Sequence, residues 1–338
     1  MAGELIYLLG PNPIALAVAV PLDLAIGDPV YRWHPVRLIG LGLRAIESLL
    51  RSIGADGYGG GVALFALLAA AALSVVAGAM LISLVLSVWV AWILHVFILY
   101  SLLALGDLVH HVWRVERALS AHDLPGARSA VGQLVVRDTD RMDAAACRRA
   151  SIESLSENLT DGFVSALLWY ALLGIPGLVL FKVVSTMDSM VGFRTPQYLR
   201  FGWCGAHLDD LMNFLPARLT WLLITLIAAV LPGYSARKAF SVGLGQYRLF
   251  PSPNSGWSEG ATAGAIQRRL VGPVWVKGKL VTDLWIGDPG DPEAATHGDV
   301  RRAIVLILMA GLLAAVLAGH LGDALGSVPV DAKCIERV

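Results

Sequence analysis

Clustered carboxylates give this sequence its clearest chemical signal. Glu153, Glu157 and Asp161 are spaced four residues apart, so a helix would place all three on one face. Acids that share a face repel each other unless a cation lies among them, and Mg²⁺ with a phosphate group would suit that position. A solvated acidic face, balanced by Arg148 and Arg149, is the structural alternative.

Ionisable, amide and hydroxyl side chains are also concentrated in segments 34–40, 182–218 and 251–259. An interfacial turn would explain the first segment as well as a binding site does. Small residues at 260–264 follow the third, and they favour either tight helix packing or the approach of a large flat ligand. Dense polar groups beside hydrocarbon are costly unless they serve a function, so segment 182–218 is the strongest indication of a site.

Missing patterns exclude several common chemistries. The chain has no G-x-x-x-x-G-K-[ST] phosphate loop and no His-x-x-x-His pair for zinc. Its three cysteines, Cys147, Cys204 and Cys334, are widely separated, which argues against a disulfide framework or a thiolate metal site. With 26 basic and 26 acidic side chains, the chain has no basic surplus of the kind that nucleic-acid binding requires.

The elements that must position these clusters are apolar helices. Hydrophobic residues make up 56% of the chain and charged residues 15%, and 57–106 contains fifty consecutive residues without Asp, Glu, Lys or Arg. A membrane span needs only about 20 apolar residues, so the sequence predicts an all-α, polytopic membrane protein with four to six transmembrane or re-entrant helices.

The start of the chain lacks a basic n-region and contains prolines, which indicates a retained helix and not a cleaved signal peptide. Apolar segments are expected near 5–26, 61–81, 84–105, 163–184, 214–231 and 303–319.

Basic residues predict the orientation. The polar segments 27–60, 107–161 and 233–302 carry four, seven and nine Lys and Arg residues, so the positive-inside rule places all three, with their helical loops, in the cytoplasm. Six simple crossings would then put 185–213 on the opposite side from the other clusters. We expect that either the segment broken by Gly174, Pro176 and Gly177 or the Pro216 segment fails to span, which leaves four or five crossings.

Ten short blocks, collinear over residues 23–288, resemble the CobD/CbiB family, the adenosylcobinamide(-phosphate) synthases of cobalamin biosynthesis. The departures are mild: Ser258 replaces the proline of W-P-E, Ser185–Asp188 replaces N-T-L-D, and Val271–Val274 replaces G-G-P-N. The matching blocks are D-L-A-I-G-D-P (23–29), H-P-V-R-L-I-G (34–40), R-D-T (137–139), E-S-L-S-E-N (153–158), D-G (161–162), T-M-D-S-M-V-G-F-R (186–194), F-G-W (201–203), L-D-D-L-M-N-F-L-P-A-R (208–218), P-S-P-N-S-G-W-S-E (251–259) and W-I-G-D (285–288).

The resemblance implies a multi-pass enzyme of the inner membrane whose active site faces the cytoplasm. The implied reaction joins the propionate carboxylate of adenosylcobyric acid to (R)-1-aminopropan-2-ol or its O-phosphate, with ATP and Mg²⁺. The lipid bilayer is the implied environment, and other membrane-associated enzymes of cobalamin assembly are candidate partners; nucleic acid is not.

This chemistry sorts the polar residues into candidate roles. ATP would convert the carboxylate to an acyl phosphate, which needs Mg²⁺ and cations on the phosphoryl group, and the amine would lose a proton to a base. The catalytic candidates are His34, Lys182, Asp188 and Glu259. The candidates for binding substrate or phosphate are Arg37, Arg137, Arg194, Tyr198, Asn213, Arg218, Ser252 and Asn254. The metal candidates are Asp138, Glu153, Glu157, Asp188, Asp209 and Asp210.

Two other functional classes stay open at this stage. A secondary transporter would also contain broken helices and intramembrane ionisable groups, but its halves should be related by an inverted repeat, which the sequence lacks. A non-catalytic membrane scaffold for corrinoid intermediates would not need so many clustered acids. Arg218 could also serve no site and simply extend to the lipid headgroups.

Overall fold

The computed structural model describes residues 5, 8–27 and 31–326, and it confirms the predicted all-α membrane fold. Asp28 and Pro29 of the first family block, and Cys334, lie outside the described residues. The α-helices, in chain order, are α1 Pro13–Ile26, α2 Pro35–Ser52, α3 Tyr58–Leu86, α4 Val88–Ser101, α5 Leu105–Ser120, α6 Leu124–Val131, α7 Ala144–Asn158, α8 Ser165–Val191, α9 Trp203–Met212, α10 Phe214–Val230, α11 Ala236–Gln246, α12 Ser255–Ile266 and α13 His297–Gly326.

Within the described residues, 5 helical stretches are long and apolar enough to cross a membrane. They correspond to α3, to α4 with α5, to α7 with α8, to α9 with α10, and to α13. The first predicted segment, 5–26, is different, because α1 has only 14 residues and contains Pro21. Among the other predicted segments, 61–81, 163–184 and 303–319 lie within these stretches, and 214–231 exceeds its stretch by one residue. The predicted segment 84–105 begins in α3 and continues past Ser87 into α4.

The stretch 144–191 does not continue in one direction, because it turns back at Gly174. Gly174 has φ 64° and ψ −150°, a backbone conformation that only glycine adopts readily. Beyond this turn the chain returns beside its own first arm, so that the Lys182 ammonium donates to the Gly162 carbonyl at 3.3 Å. The arms 159–173 and 175–191 are about 22–26 Å long at 1.5 Å per residue. The chain therefore forms a helical hairpin at this position, and the expectation that the segment broken by glycine and proline fails to cross simply stays a prediction.

The Pro216 segment gives the opposite result. Pro216 is the third residue of α10, and proline is tolerated in the first turn because the N–H that it lacks would have no partner within the helix. Together with α9, this helix meets the length and composition required of a membrane span. The proline does not end this helix, because it lies where a helix accepts it, and whether 203–230 crosses the membrane stays a prediction.

A π-helical turn, Leu159–Val164, joins α7 to α8 at the centre of the molecule. One extra residue per turn displaces the side chains that follow it and leaves a carbonyl without its usual helical donor, and such turns are frequent at functional sites. The hydrogen bond from Lys182 to Gly162 is made within this turn. The turn therefore changes the helical face on which Asp161 lies relative to Glu153.

The polar segment 233–302 contains the only strands among the described residues, and the sequence did not predict them. The strands β1 Leu270–Val271 and β4 Trp285–Ile286 pair in antiparallel fashion, as do β2 Val274–Val276 and β3 Lys279–Thr282. β1 packs against α7, and β4 packs against α12, whose residues are all buried. A Cβ atom on Gly264 would lie 2.3 Å from the Lys238 carbonyl oxygen of α11, so the small residues serve tight helix packing and not a flat ligand.

Candidate active site

The polar clusters converge where α2, the π-helical turn, the second arm of the α8 hairpin and α9 meet. The cavity between them, here called the carboxylate pocket, has a volume of about 540 Å³. Its ionisable lining residues are His34, Arg37, Glu157, Asp161, Lys182, Asp188 and Asp209. Because the hairpin turns back, Asp161 on one arm and Asp188 on the other line the same space.

A second cavity of about 750 Å³ adjoins the first and shares Val36, Arg37, Lys182, Ser185 and Ser189 with it. We call it the arginine pocket, because Arg32, Arg37 and Arg44 line it together with Lys182. On α2, Arg37 and Arg44 are seven residues apart and therefore share a face. The two pockets form one space with carboxylates at one end and cations at the other.

The carboxylates are held by the local structure around them. The Asn213 side chain donates from Nδ2 to Asp209 at 2.9 Å and accepts from the Ser165 hydroxyl at 2.5 Å, so it connects α9 to the start of α8. Among the described residues, neither Asp188 nor Asp209 has a basic side chain within 4.0 Å that would make it part of a salt bridge. Within the part of the chain that the structure describes, these carboxylates therefore face the cavity without forming a salt bridge.

His34 and Lys182 are buried basic groups of the same pocket. His34 precedes α2 at its N-terminus, with Pro35 fixing the first turn, and its ring packs edge-on against Tyr31 with centroids 5.2 Å apart. Lys182 is only 8% exposed, and its ammonium extends toward the π-helical turn. Both side chains are positioned by a helix end or by the hairpin, as a site that orients substrate requires.

A third cavity, here called the glutamate chamber, lies on the other side of Glu157 and measures about 520 Å³. Glu157 is the residue that the chamber shares with the carboxylate pocket. Other polar lining residues are Arg137, Glu153, Ser154, Ser252, Ser255, Glu259 and Thr282. The predicted convergence of all four clusters is thus realised as two adjoining spaces and not as one.

Within the chamber, Glu153 is occupied by structural bonds. Its carboxylate accepts from Arg137 at 2.6 Å and from the backbone N–H of Val271 at 2.9 Å. Arg148 pairs instead with Glu116 at 2.8 Å, and Arg149 donates to the Glu293 carbonyl at 3.0 Å. The acidic face of α7 is therefore not a solvated face balanced by these two arginines.

Glu259 is the most enclosed carboxyl group of the chamber. It is 4% exposed, on a helix whose residues are all buried. Burial, followed by the charges of Glu157 and Glu153, raises the pKa of Glu259 well above its ordinary value. Burial of this kind favours the uncharged form of a carboxyl group unless a cation joins it.

Several predicted site residues line none of these cavities. The Asp138 carboxylate accepts from the backbone N–H groups of Lys277 and Gly278 at 3.0 and 2.7 Å, which stabilises the β2–β3 turn. The Arg218 guanidinium stacks on Phe214 and donates to the Asn254 side chain at 3.2 Å, so it neither binds in a cavity nor extends freely to headgroups. The others outside the cavities are Arg194, Tyr198, Asp210, Asn213 and Asn254.

Three charged residues that line these cavities were not among the sequence candidates for specific roles. Asp161 belongs to the acidic face already recognised at 153–161, and its position on the π-helical turn brings it into the carboxylate pocket. Arg32 and Arg44 flank Arg37. The seven-residue spacing from Arg37 to Arg44 on an amphipathic helix was the signal that could have identified Arg44.

The arrangement suits a metal ion that arrives with its substrate. Within the described ranges, no group of three or more His, Cys, Asp and Glu residues could hold a metal ion by itself. Mg²⁺ typically uses one or two carboxylates, with water and substrate phosphates as its other ligands. Asp161, Asp188 and Asp209 fit that donor set, because they line one cavity beside Lys182 and Arg37.

Comparison with known proteins identifies relatives over almost the whole chain. Residues 16–307 match a family model described as "CobD/Cbib protein". The chain is 39% identical over 311 residues to the cobalamin biosynthesis protein CobD of Pelobacter propionicus, which covers 91% of this chain and 94% of that protein. It is 35% identical over 308 residues to the cobalamin biosynthesis protein CbiB of Salmonella typhimurium, with coverage of 90% and 95%. No solved structure matches it.

Proposed function

The chain belongs to the CobD/CbiB family of cobalamin biosynthesis proteins, and on that premise we propose that it forms an amide bond with ATP. The substrates would be adenosylcobyric acid and (R)-1-aminopropan-2-ol or its O-phosphate. The observation that supports this proposal is the continuous space with carboxylates at one end and cations at the other. Activation of a carboxylate by ATP needs both kinds of group close together.

The arginine pocket suits the anionic parts of the substrates. Arg32, Arg37 and Arg44 surround it, and Lys182 lies between it and the carboxylates. Guanidinium groups bind phosphate and carboxylate oxygens through two parallel hydrogen bonds. Lys182, at the junction, would stabilise the charge that develops on the phosphoryl group during its transfer to the corrinoid carboxylate.

Asp161, Asp188 and Asp209 would hold the magnesium ion that accompanies ATP. When bound, this ion would neutralise phosphate charge during the transfer. Asn213 keeps the Asp209 carboxylate oriented toward the cavity through its 2.9 Å hydrogen bond. His34, which is buried beside Arg37 at the start of α2, could hold or move a proton on the phosphate or carboxylate oxygen.

The size of the space restricts how the corrinoid would bind. Cavities of roughly 300–1,000 Å³ accommodate drug-sized molecules, and a corrinoid is much larger than that. Only its propionate arm would enter the space between the arginines and the carboxylates, while the macrocycle would remain at the mouth.

We further propose that this mouth faces the cytoplasm and that the membrane is the inner membrane.

A direct assay tests this function. Purified protein in detergent or nanodiscs would be incubated with adenosylcobyric acid, the amine, ATP and Mg²⁺, with mass spectrometry of the corrinoid as the measurement. We expect the corrinoid to gain the aminopropanol unit and ATP to be consumed, with neither change when ATP is omitted. Intact adenosylcobyric acid from folded protein would reject the proposal. Uptake of unaltered corrinoid into proteoliposomes would identify a transporter instead.

A further inference from the structure

The glutamate chamber contains a buried acidic group with no protein partner. Glu259 is 4% exposed and lines the chamber. Among the described residues its carboxyl group takes part in no hydrogen bond or salt bridge, in contrast to Glu153 with its partners Arg137 and Val271. A buried polar group without a partner costs stability, so its retention in the chamber indicates a ligand.

The charges of the chamber select the kind of ligand. Its walls carry Glu153, Glu157 and Glu259 but only one basic group, Arg137, whose charge is already offset by Glu153 at 2.6 Å. A phosphate or carboxylate would be repelled there, whereas a cation would be attracted. The adjoining arginine pocket has the opposite character, so the two spaces divide the substrates by charge.

We propose that the glutamate chamber binds a small primary amine as its ammonium ion, held between Glu259 and Glu157. This inference rests on the proposed amide-forming function and assigns its second substrate to a separate site. The chamber also provides the hydroxyl groups of Ser252, Ser255 and Thr282, and its apolar walls include Phe250 and Val274. Hydroxyls beside apolar surface suit a short amino alcohol.

Glu157 connects the amine site to the activated carboxylate, because it lines both spaces. One carboxylate oxygen of Glu157 would take a proton from the ammonium group and leave a free amine. The nitrogen lone pair would then attack the acyl carbon, forming the C–N bond, while the C–O bond to phosphate breaks and its electron pair leaves with the phosphate. The second nitrogen proton passes to the departing phosphate, and the proton on Glu157 returns to solvent.

Calorimetric titration tests the site without any turnover. The purified protein would be titrated with 1-aminopropan-2-ol and, in a second arm, with its O-phosphate, in the absence of ATP and corrinoid. We expect Glu259→Gln to weaken binding of the amine at least tenfold, because the shape is kept while the charge is lost. Glu293→Gln is the matched control, because Glu293 is a surface glutamate paired with Arg269, and it should bind like the parent. Binding of the O-phosphate alone, without binding of the free amino alcohol, would overturn the assignment, because the chamber should repel phosphate.

A second variant keeps the test decisive if Glu259→Gln is poorly folded. Thr282→Phe, at the chamber wall on β3, should raise the KM for the amine while the KM for ATP stays within twofold. Amine affinity that is unchanged within twofold in both variants, or equal losses for amine and ATP, would overturn the assignment. Because binding is measured without the reaction, a protein that binds the amine through Glu259 but forms no amide would reject only the proposed function.

Discussion

Neighbouring carboxylates in this protein have different surroundings, and the structure separates those that bond to protein from those that face a cavity. Asp209 and Asp210 are adjacent in sequence, yet only Asp209 lines the carboxylate pocket. Asp138 and Glu153 bind backbone N–H groups or an arginine. The residues whose charges lack a protein counter-ion are therefore the ones whose substitution should affect chemistry more than folding.

Asp188→Asn and Asp209→Asn should each abolish turnover without lowering stability. The apo variants should melt at or slightly above the parental temperature, because repulsion between neighbouring carboxylates falls when one charge is removed. Turnover should fall by roughly 100-fold or more, because phosphoryl transfer loses electrostatic stabilisation. Melting temperature and single-turnover rate, measured on the same preparation, test both parts.

Glu47→Gln is a suitable control for these variants, because Glu47 pairs with Arg51 at 2.9 Å, away from the cavities. It should leave turnover unchanged. A variant of Asp188 or Asp209 that melts early yet turns over normally in its folded fraction would indicate a structural charge and contradict the catalytic assignment.

Glu259→Gln should alter the pH dependence of stability in a defined direction. The pKa of Glu259 in the folded protein lies above its ordinary value of 4.5, mainly because of burial. The folded state therefore binds this proton more tightly than the unfolded state, and stability is lost as the pH rises from 4.5 through the folded pKa. Each unit of that shift corresponds to about 1.4 kcal/mol.

Glutamine carries no such ionisation. The melting temperature of Glu259→Gln, measured without ligands, should match the parent near pH 4.5 and exceed it increasingly toward pH 8. Thermal melts across this range provide the measurement. A difference that is constant with pH would show that Glu259 ionises normally in the folded protein.

The sequence located several cavity-lining residues, but it could not show what holds each of them. Spacing placed Glu153, Glu157 and Asp161 on one face, and all three line cavities. Spacing could not show that Glu153 pairs with Arg137, because that contact joins residues 16 positions apart across a turn. Nor could it show that the π-helical turn would direct Asp161 into a different cavity from Glu153.

At the scale of elements, the α8 hairpin determines whether a site exists at all. A straight helix would separate Asp161 and Asp188 by about 40 Å at 1.5 Å per residue, whereas the hairpin brings both to one cavity. Gly174 and Pro176 predicted the break from sequence. The direction after the break depends on tertiary packing against residues 9 and 10, which the local pattern does not contain.

Gly174→Ala should therefore destabilise the whole protein. Its φ of 64° with ψ −150° suits glycine alone, and a Cβ atom would lie 2.0 Å from the Leu9 carbonyl oxygen. Strain of this kind costs on the order of 1–3 kcal/mol before the clash is added. We expect a clear fall in melting temperature and in the yield of monodisperse protein.

Gly78→Ala supplies the matched comparison. Gly78 lies within α3, and a Cβ atom there would have no neighbour within 4 Å. Alanine is a better helix former than glycine by up to about 1 kcal/mol, so this variant should be as stable as the parent or more stable. If both substitutions had equal effects, the turn at Gly174 would not determine the fold.

At the scale of the whole molecule, apolar composition predicted the membrane fold, while the small strands were missed. The 5 spanning stretches follow from the length and composition of their helices. The strands of the pairs β1–β4 and β2–β3 are too short to leave a periodic pattern. Charge distribution supports a further prediction, because twenty basic residues lie in three polar segments.

Cysteine labelling should place those segments on one side of the membrane. In a variant without native cysteines, exposed positions would be substituted singly as Ser52→Cys, Ser129→Cys and Ser241→Cys, one for each segment. The positive-inside rule places all three in the cytoplasm, so an impermeant maleimide added to whole cells should leave them unlabelled. Val88→Cys, at the turn between α3 and α4, is the control for the outer face and should react.

Thr195→Cys makes the labelling a test of the hairpin as well as of orientation. Thr195 lies in the exposed loop after α8, which also contains the basic residues Arg194 and Arg200. If 144–191 crossed the membrane once, this loop would lie outside and label like Val88→Cys. Because the chain turns back at Gly174 and returns Asp188 to the cavity lined by His34 and Arg37, we expect Thr195→Cys to be protected in whole cells and labelled only after permeabilisation. Protection of both Thr195→Cys and Ser241→Cys would require that 203–230 also returns to the cytoplasmic side without crossing. Labelling at Thr195 in intact cells, with Ser52→Cys protected, would mean that the clusters lie on opposite faces, and a single cytoplasmic site for ATP and corrinoid would then be ruled out.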